Sequence, residues 1–250
     1  MIQFQDVSFK FSNGNYGVQD LSFSIQAGEC FVLIGPSGCG KTSTIKLINR
    51  LIKPTDGEIF YNDKNIKDYD EHKLRRDFGY VLQQIALFPH LNVEENISIV
   101  PELKKWSKAQ IKDRVAELLE LVKLNPQEFS KRSVSELSGG QQQRVGVARA
   151  LAGNPNLLLM DEPFSALDPI TRLQLQKDLN LLKTKINKSI LFVTHDLDEA
   201  FYLGDRIGIM HGGELVQVGT KDEVLNNPIN PFVEQFIDNY RSKAVLKEGI

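Results

Sequence analysis

"CFVLIGPSGCGKTSTIKLINRLI", Cys30 to Ile52, is the stretch that decides the fold. Its first part, "CFVLI", is a continuous apolar run, as in a strand covered on both faces. "GPSGCGKT", Gly35 to Thr42, follows at once. Beyond it, Ile45, Ile48, Leu51 and Ile52 recur at helical spacing. The order is strand, glycine-rich loop, helix. Glycines let successive backbone N–H groups turn inward around the β- and γ-phosphates of a nucleotide. The Lys41 amine is placed to reach the β/γ oxygens and the Thr42 hydroxyl to hold Mg²⁺. A plain glycine-rich turn needs neither the flanking strand nor the helix.

Upstream of this unit, "IQFQDVSFKF" and "LSFSIQ" alternate polar and apolar residues, the pattern of half-buried antiparallel strands. Downstream, the middle of the chain is more helical. "SKAQIKDRVAELLELVKL" opens with Ser107 and Gln110, a capping box, and carries Ile111, Val115, Leu118, Leu119 and Val122 on one face. Residues 141–152 and 171–185 read as further helices. "NLLLMDE", "SILFVTHD" and "RIGIMHGGELVQVG" read as three buried-strand patterns. Strands alternating with helices predict an α/β fold with a mainly parallel, doubly wound sheet.

The chain has 250 residues, 41% hydrophobic and 25% charged, enough for a full core. Its formal net charge of −2 gives no basic field that points to nucleic acid. Short basic runs such as Lys73 to Arg76 alternate with acids and read as solvated faces. Cys30 and Cys39 are too few for a disulfide scaffold and lack metal-ligand spacing, which fits a reducing compartment. The start, "MIQFQDVSFKF", lacks the basic and apolar regions of a signal peptide, and the apolar runs fall far short of the ~20 residues of a membrane span. The expected location is the cytosol, or a membrane surface reached through a partner.

Two further strand ends carry reactive groups. "LLLMDE" places Asp161 and Glu162 at the end of a buried strand, where open α/β sheets put ligand groups. Asp161 suits Mg²⁺ held through water, and Glu162 suits orienting and deprotonating an attacking water. "ILFVTHD" sets His195 just past a third strand end, where an imidazole can contact a γ-phosphate. His72, His90 and His211 have no such setting and read as surface residues. A puzzle remains in "ELSGGQQQRVGVARALAG", Glu136 to Gly153. Its glycine pair opens a helix, a second phosphate-binding device in a chain that already has one.

"GPSGCGKT", a glutamine in "YVLQQ", "LSGGQQQR", "LLLMDEP", "SALD" and "THD", in that order, resemble the ATP-binding cassette (ABC) proteins over about residues 2–238. The resemblance implies a P-loop NTPase of ABC fold: a RecA-like, mainly parallel core sheet, an N-terminal antiparallel β part and a helical subdomain of about residues 88–153. It implies one ATP-binding domain over 1–240 and a short tail over 241–250. It also implies an ATPase with ATP and Mg²⁺ as cofactors, working as a homodimer with ATP sandwiched at the interface. Each ATP would touch Gly35, Pro36, Ser37, Gly38, Cys39, Gly40, Lys41, Thr42, Ser43 and Asp161 of one chain. Ser138, Gly139, Gly140, Gln141 and Asp168 of the other chain would close the site in trans. Thr42, Gln83 and Asp161 would hold Mg²⁺, while Glu162, His195 and Gln83 would serve catalysis. Gln84 is the alternative to Gln83. The family's adenine-stacking aromatic aligns with Phe11, with Tyr16 and Phe9 as alternatives.

Two classes of ABC protein compete: transporter subunits, and soluble ATPases acting on DNA or the ribosome. The second class usually has two cassettes or a long insert between the phosphate loop and "LSGGQ", and neither occurs between Thr42 and Leu137. The expected partners are integral membrane permease subunits and an extracellular solute-binding protein, with the chain on the cytoplasmic face of the cell membrane. "INRLIKPTDGEI", "GYVLQQIALFPHLNVEENISIVPELKKW" and "RVGVARALAGNP" resemble the osmoprotectant (glycine betaine, carnitine, choline) importers. An importer of another small polar solute, such as an amino acid, is the alternative. Many members of that group carry tandem cystathionine-synthase-type regulatory domains after the cassette. This sequence stops soon after "PFVEQFIDNY", so no accessory regulatory domain is expected.

Overall fold

The structure, a computed structural model, describes residues 1–248, with side chains through Tyr240 except at position 239. Residues 249–250, the end of the expected tail, lie outside the described residues. In chain order the elements begin β1 (Ile2–Lys10), β2 (Tyr16–Ile25), β3 (Cys30–Ile34), α1 (Lys41–Ile48), β4 (Asp56–Tyr61) and β5 (Lys64–Asn65). There follow α2 (Glu71–Asp77), β6 (Phe78–Val81), α3 (Val93–Leu103), α4 (Lys108–Leu121), α5 (Pro126–Phe129), α6 (Gly139–Ala152), β7 (Leu157–Asp161) and α7 (Pro169–Ile186). The chain then runs through β8 (Ser189–Thr194), α8 (Leu197–Leu203), β9 (Arg206–His211), β10 (Glu214–Gly219), α9 (Lys221–Asn226) and α10 (Pro231–Glu248). These form two compact units: Met1–Asp68 with the chain from Ile190 onward, and Tyr69–Ser189.

The first unit holds the antiparallel sheet β2-β1-β4-β5. It also holds a second set of strands, in which β3 pairs in parallel with both β8 and β9, and β9 turns back antiparallel to β10. Every residue of β3 is buried, so its apolar run is what a strand covered on both faces requires. Phe4 stacks on Phe23 at 4.5 Å and Phe23 on Phe31 at 5.2 Å, a column that ties the antiparallel sheet to β3. "RIGIMHGGELVQVG" is two strands, not one. Gly212 and Gly213 both have positive φ, 59° and 93°, the conformation of a two-residue hairpin turn that the Gly-Gly pair admits.

The second unit contains the parallel pair β6–β7 and six helices, α2 to α7. α4 begins with the expected capping box between Ser107 and Gln110. α3 and α6 pack on each other, and Val93 and Ile97 of the one and Val145 and Ala148 of the other are fully buried. Burying a valine or isoleucine side chain contributes roughly 1.5–3 kcal/mol. The run Lys73 to Arg76 lies in α2, with only Leu74 of it buried, so its charges do form a solvated face.

Candidate nucleotide site

Each unit carries candidate site residues of its own. In the first, the loop after β3 leaves Pro36, Ser37 and Gly38 exposed while Cys39, Gly40 and Lys41 are buried. Thr42 and Ser43 are half-buried on the first turn of α1. Gly40 caps that helix at φ 105°, and a Cβ there would lie 2.4 Å from the Gly17 carbonyl oxygen, so only glycine fits. The Lys41 ammonium points back into the loop. It donates to the carbonyl oxygens of Gly35 (2.8 Å) and Pro36 (3.0 Å) and lies 3.9 Å from Cys39 Sγ. A buried cation thus sits inside the glycine-rich turn, beside backbone N–H groups of α1's first turn that have no carbonyl within the helix to bond. Helix dipole and ammonium together favour a polyanion there. Burial pushes the Cys39 thiol above its usual value, and the Lys41 charge offsets part of that rise.

His195 follows β8 directly. The parallel register pairs Ile34 with Thr194, so His195 stands one residue past the partner of Ile34, level with Gly35. It is exposed. Below it, the Thr194 hydroxyl donates to Glu199 at 2.6 Å, and Asp196 caps α8. These bonds fix the turn that carries the imidazole.

Phe11 is also brought toward the loop. Its ring stands edge-on to Phe9 at 5.0 Å and is 48% exposed, so it is not a core residue. A Cβ on Gly17 would meet the Phe11 ring at 2.9 Å, and the Gly17 carbonyl abuts Gly40. Tyr16 is exposed as well, but Lys10 lies over its ring at 4.5 Å.

In the second unit, β6 and β7 are paired with Val81 opposite Met160. Two residues further on, Gln83 is level with Glu162, and Gln83 Nε2 donates to Glu162 Oε2 at 3.3 Å. Among the described residues Gln84 makes no such hydrogen bond. Asp161 ends β7 and is 3% exposed. Burial, and then the Asp161 charge, raise the Tyr80 phenol above its ordinary value. Glu162 leaves the strand at φ 43°, left-handed for a residue with a side chain.

The "LSGGQ" turn opens α6. The Ser138 hydroxyl accepts from Gln141 N at 3.3 Å, while Gln141 Oε1 accepts from Ser138 N at 2.9 Å. Both side chains therefore cap their own helix. The N–H groups of Gly139 and Gly140 are the first of the helix and precede any intrahelical acceptor. Asp168 likewise caps α7, accepting from Ile170 N (3.1 Å) and Thr171 N (3.0 Å); the Thr171 side chain first, and then these N–H groups, hold its carboxyl below the usual value.

Among the described residues no cluster of three or more His, Cys, Asp or Glu side chains can hold a metal. Mg²⁺, a hard ion that completes its shell with phosphate and water, needs fewer protein ligands, and the Asp161 carboxylate, the Gln83 amide and the Thr42 hydroxyl are oxygen donors of the kind it takes. Sequence reasoning passed over Ser165, which bonds the Glu162 carbonyl, and Asn96. Asn96 is fully buried and fastens Phe88 through its backbone N–H (2.8 Å) and carbonyl (3.1 Å). "SALD" did contain Ser165; nothing in the pattern marked Asn96.

A family model described as "ABC transporter" matches residues 18–165. The chain belongs to the ABC transporter family. This ABC chain is 56% identical over 241 residues to the carnitine transport ATP-binding protein OpuCA of Listeria monocytogenes, covering 96% of this chain and 60% of that protein. It is 54% identical to the glycine betaine/carnitine/choline transport ATP-binding protein OpuCA of Bacillus subtilis, covering 96% and 63%. The chain thus spans about three-fifths of the length of these relatives. Among solved structures it resembles the ATP-binding cassette MJ0796, dimeric and bound to ADP and Pi, with TM-score 0.77 and 34% identity over 88% of this chain and 98% of that one. It also resembles cbiO1 from Clostridium perfringens, part of the transporter complex cbiONQ, with TM-score 0.83 and 26% identity over 99% and 96%.

Proposed function

We propose that the chain is the ATP-hydrolysing subunit of an ABC importer that takes up a quaternary ammonium osmoprotectant such as glycine betaine, carnitine or choline. The observation that carries the activity is the pairing of equipment in one ABC chain. A glycine-rich turn is built around Lys41, and a strand end presents Asp161 and Glu162 with Gln83 bonded to the glutamate. The solute class is supported by the names of the relatives at 54–56% identity.

Lys41 and the N–H groups of the loop bind the β- and γ-phosphates. Phe11 stacks on adenine, an interaction that contributes roughly 1–3 kcal/mol. Thr42, Asp161 and Gln83 would hold Mg²⁺, which would supply charge neutralisation for the phosphates. Glu162 takes the proton from the attacking water, Gln83 steers that carboxylate, and His195 contacts the γ-phosphate. Two chains sandwich the nucleotide, with Ser138, Gly139, Gly140, Gln141 and Asp168 of the second chain closing the site. One ATP-binding domain covers 1–240.

Among the described residues no helix is long and apolar enough to cross a membrane. In this reading the chain works on the cytoplasmic face of the membrane through permease subunits, with a solute-binding protein outside. The test is uptake. Disrupting the gene for this chain in its own host should abolish high-osmolarity uptake of at least one labelled substrate among glycine betaine, carnitine and choline. The intact gene should restore uptake and Lys41→Ala should not. Unchanged uptake of all three, with loss of amino-acid uptake, would overturn the solute assignment.

A further inference from the structure

Glu162 has an unusual backbone. Its φ of 43° is left-handed, it carries a side chain, and Pro163 follows it. A residue before proline is already restricted, and a left-handed non-glycine residue persists only when its surroundings hold it. The hold is visible. The Ser165 hydroxyl donates to the Glu162 carbonyl oxygen at 3.0 Å, and the Ser165 backbone N–H donates to the same oxygen at 3.2 Å. Phe164, between them, is 2% exposed and anchors the turn in the core. The backbone bond survives any substitution at 165 except proline; the hydroxyl bond needs serine or threonine. Gln83 steers the far end of the same residue, through the carboxylate.

We propose that Ser165 is a positioning residue. Its hydroxyl locks the left-handed turn at Glu162 and so aims the general base at the attacking water. Ser165 acts through Glu162, whose carbonyl its hydroxyl bonds. The inference rests on the proposed role of Glu162.

The experiment is a double-mutant cycle on the full chain, read by ATP turnover, KM and single-turnover hydrolysis. A misplacement of about 1 Å can cost on the order of 10²-fold in rate, and a placed base supplies about 10²–10⁴-fold. Ser165→Ala should lower kcat by about 10- to 100-fold with KM within about twofold of the parent. Ser165→Thr, which keeps a hydroxyl, should recover most of the rate. In the Glu162→Gln background, Ser165→Ala should cost little further, because the group it aims is gone. A residue that merely supports the fold would multiply the loss in both backgrounds and raise KM. Either that pattern, or a Ser165→Ala chain that folds and turns over at the parental rate, overturns the proposal. If Ser165→Ala does not fold, a Ser165→Thr chain that folds but stays as slow as Glu162→Gln overturns it too. Parental turnover by Glu162→Gln alone would instead defeat the assignment of the base.

Discussion

Two carboxylates one residue apart, Asp161 and Glu162, sit in different settings. Asp161 is buried at the end of a strand, whereas Glu162 is half-buried and reaches the Gln83 amide. That contrast suits one group for a cation and the other for a proton. Glu162→Gln should therefore keep ATP binding, because Lys41, Thr42 and Asp161 remain, and lower hydrolysis by about 10²–10⁴-fold. Size exclusion with ATP should then show a longer-lived dimer; turnover close to the parent's would remove Glu162 from the role. Cys39 offers a second test. Burial raises its pKa, so at pH 8 it stays mainly a thiol despite Lys41 nearby. Iodoacetamide should label it slowly in the folded chain and rapidly in urea. Rapid labelling of the native chain at pH 8 would contradict the buried placement.

At the scale of elements, Asp178 ties three helices together. On α7, it accepts from Arg144 of α6 at 2.5 Å and from Lys123, just past α4, at 2.6 Å. Arg144 also donates to the Val122 carbonyl at 2.7 Å. Burial alone would raise the Asp178 pKa, but Lys123 and Arg144 outweigh it and hold the carboxyl below its usual value. A lowered pKa gives stability that is present above the unfolded value of about 3.9 and is lost as pH falls through the folded one. Asp178→Asn should thus cost about 1–3 kcal/mol at pH 7 in urea unfolding. The gap to the parent should close below about pH 4; a gap independent of pH would refute the charge account.

Most of these helices were legible in the sequence, because caps and apolar spacing are local. The helix expected over 171–185 spans Pro169–Ile186, and that expected over 141–152 starts at Gly139. The glycine-rich turn around Lys41 was legible for the same reason. Less visible were features that apolar spacing and caps do not encode. The hairpin β9–β10 needed the Gly-Gly turn to be weighed above the apolar run. The grip of Asn96 on Phe88 joins residues eight apart across a loop. The left-handed Glu162 follows no propensity: tertiary context imposes it.

For the whole molecule, the question is why one chain has two glycine turns that each open a helix, at Gly35–Thr42 and at Ser138–Gly140. The account gives each turn a different nucleotide: the first binds the chain's own ATP and the second caps the γ-phosphate held by a partner copy. The capping box at Ser138 leaves the N–H groups of Gly139 and Gly140 for that task. The most direct measurement mixes two inactive chains. Lys41→Ala spoils the phosphate loop; Ser138→Arg puts a bulky side chain where the γ-phosphate should sit. Two affinity tags isolate the mixed dimer, and single-turnover ATP hydrolysis reads its one restorable site without requiring both to fire. The account predicts hydrolysis well above either homodimer, because an intact phosphate loop on the Ser138→Arg chain meets an intact "LSGGQ" on the Lys41→Ala chain. Mixed dimers as inactive as both parents would contradict it.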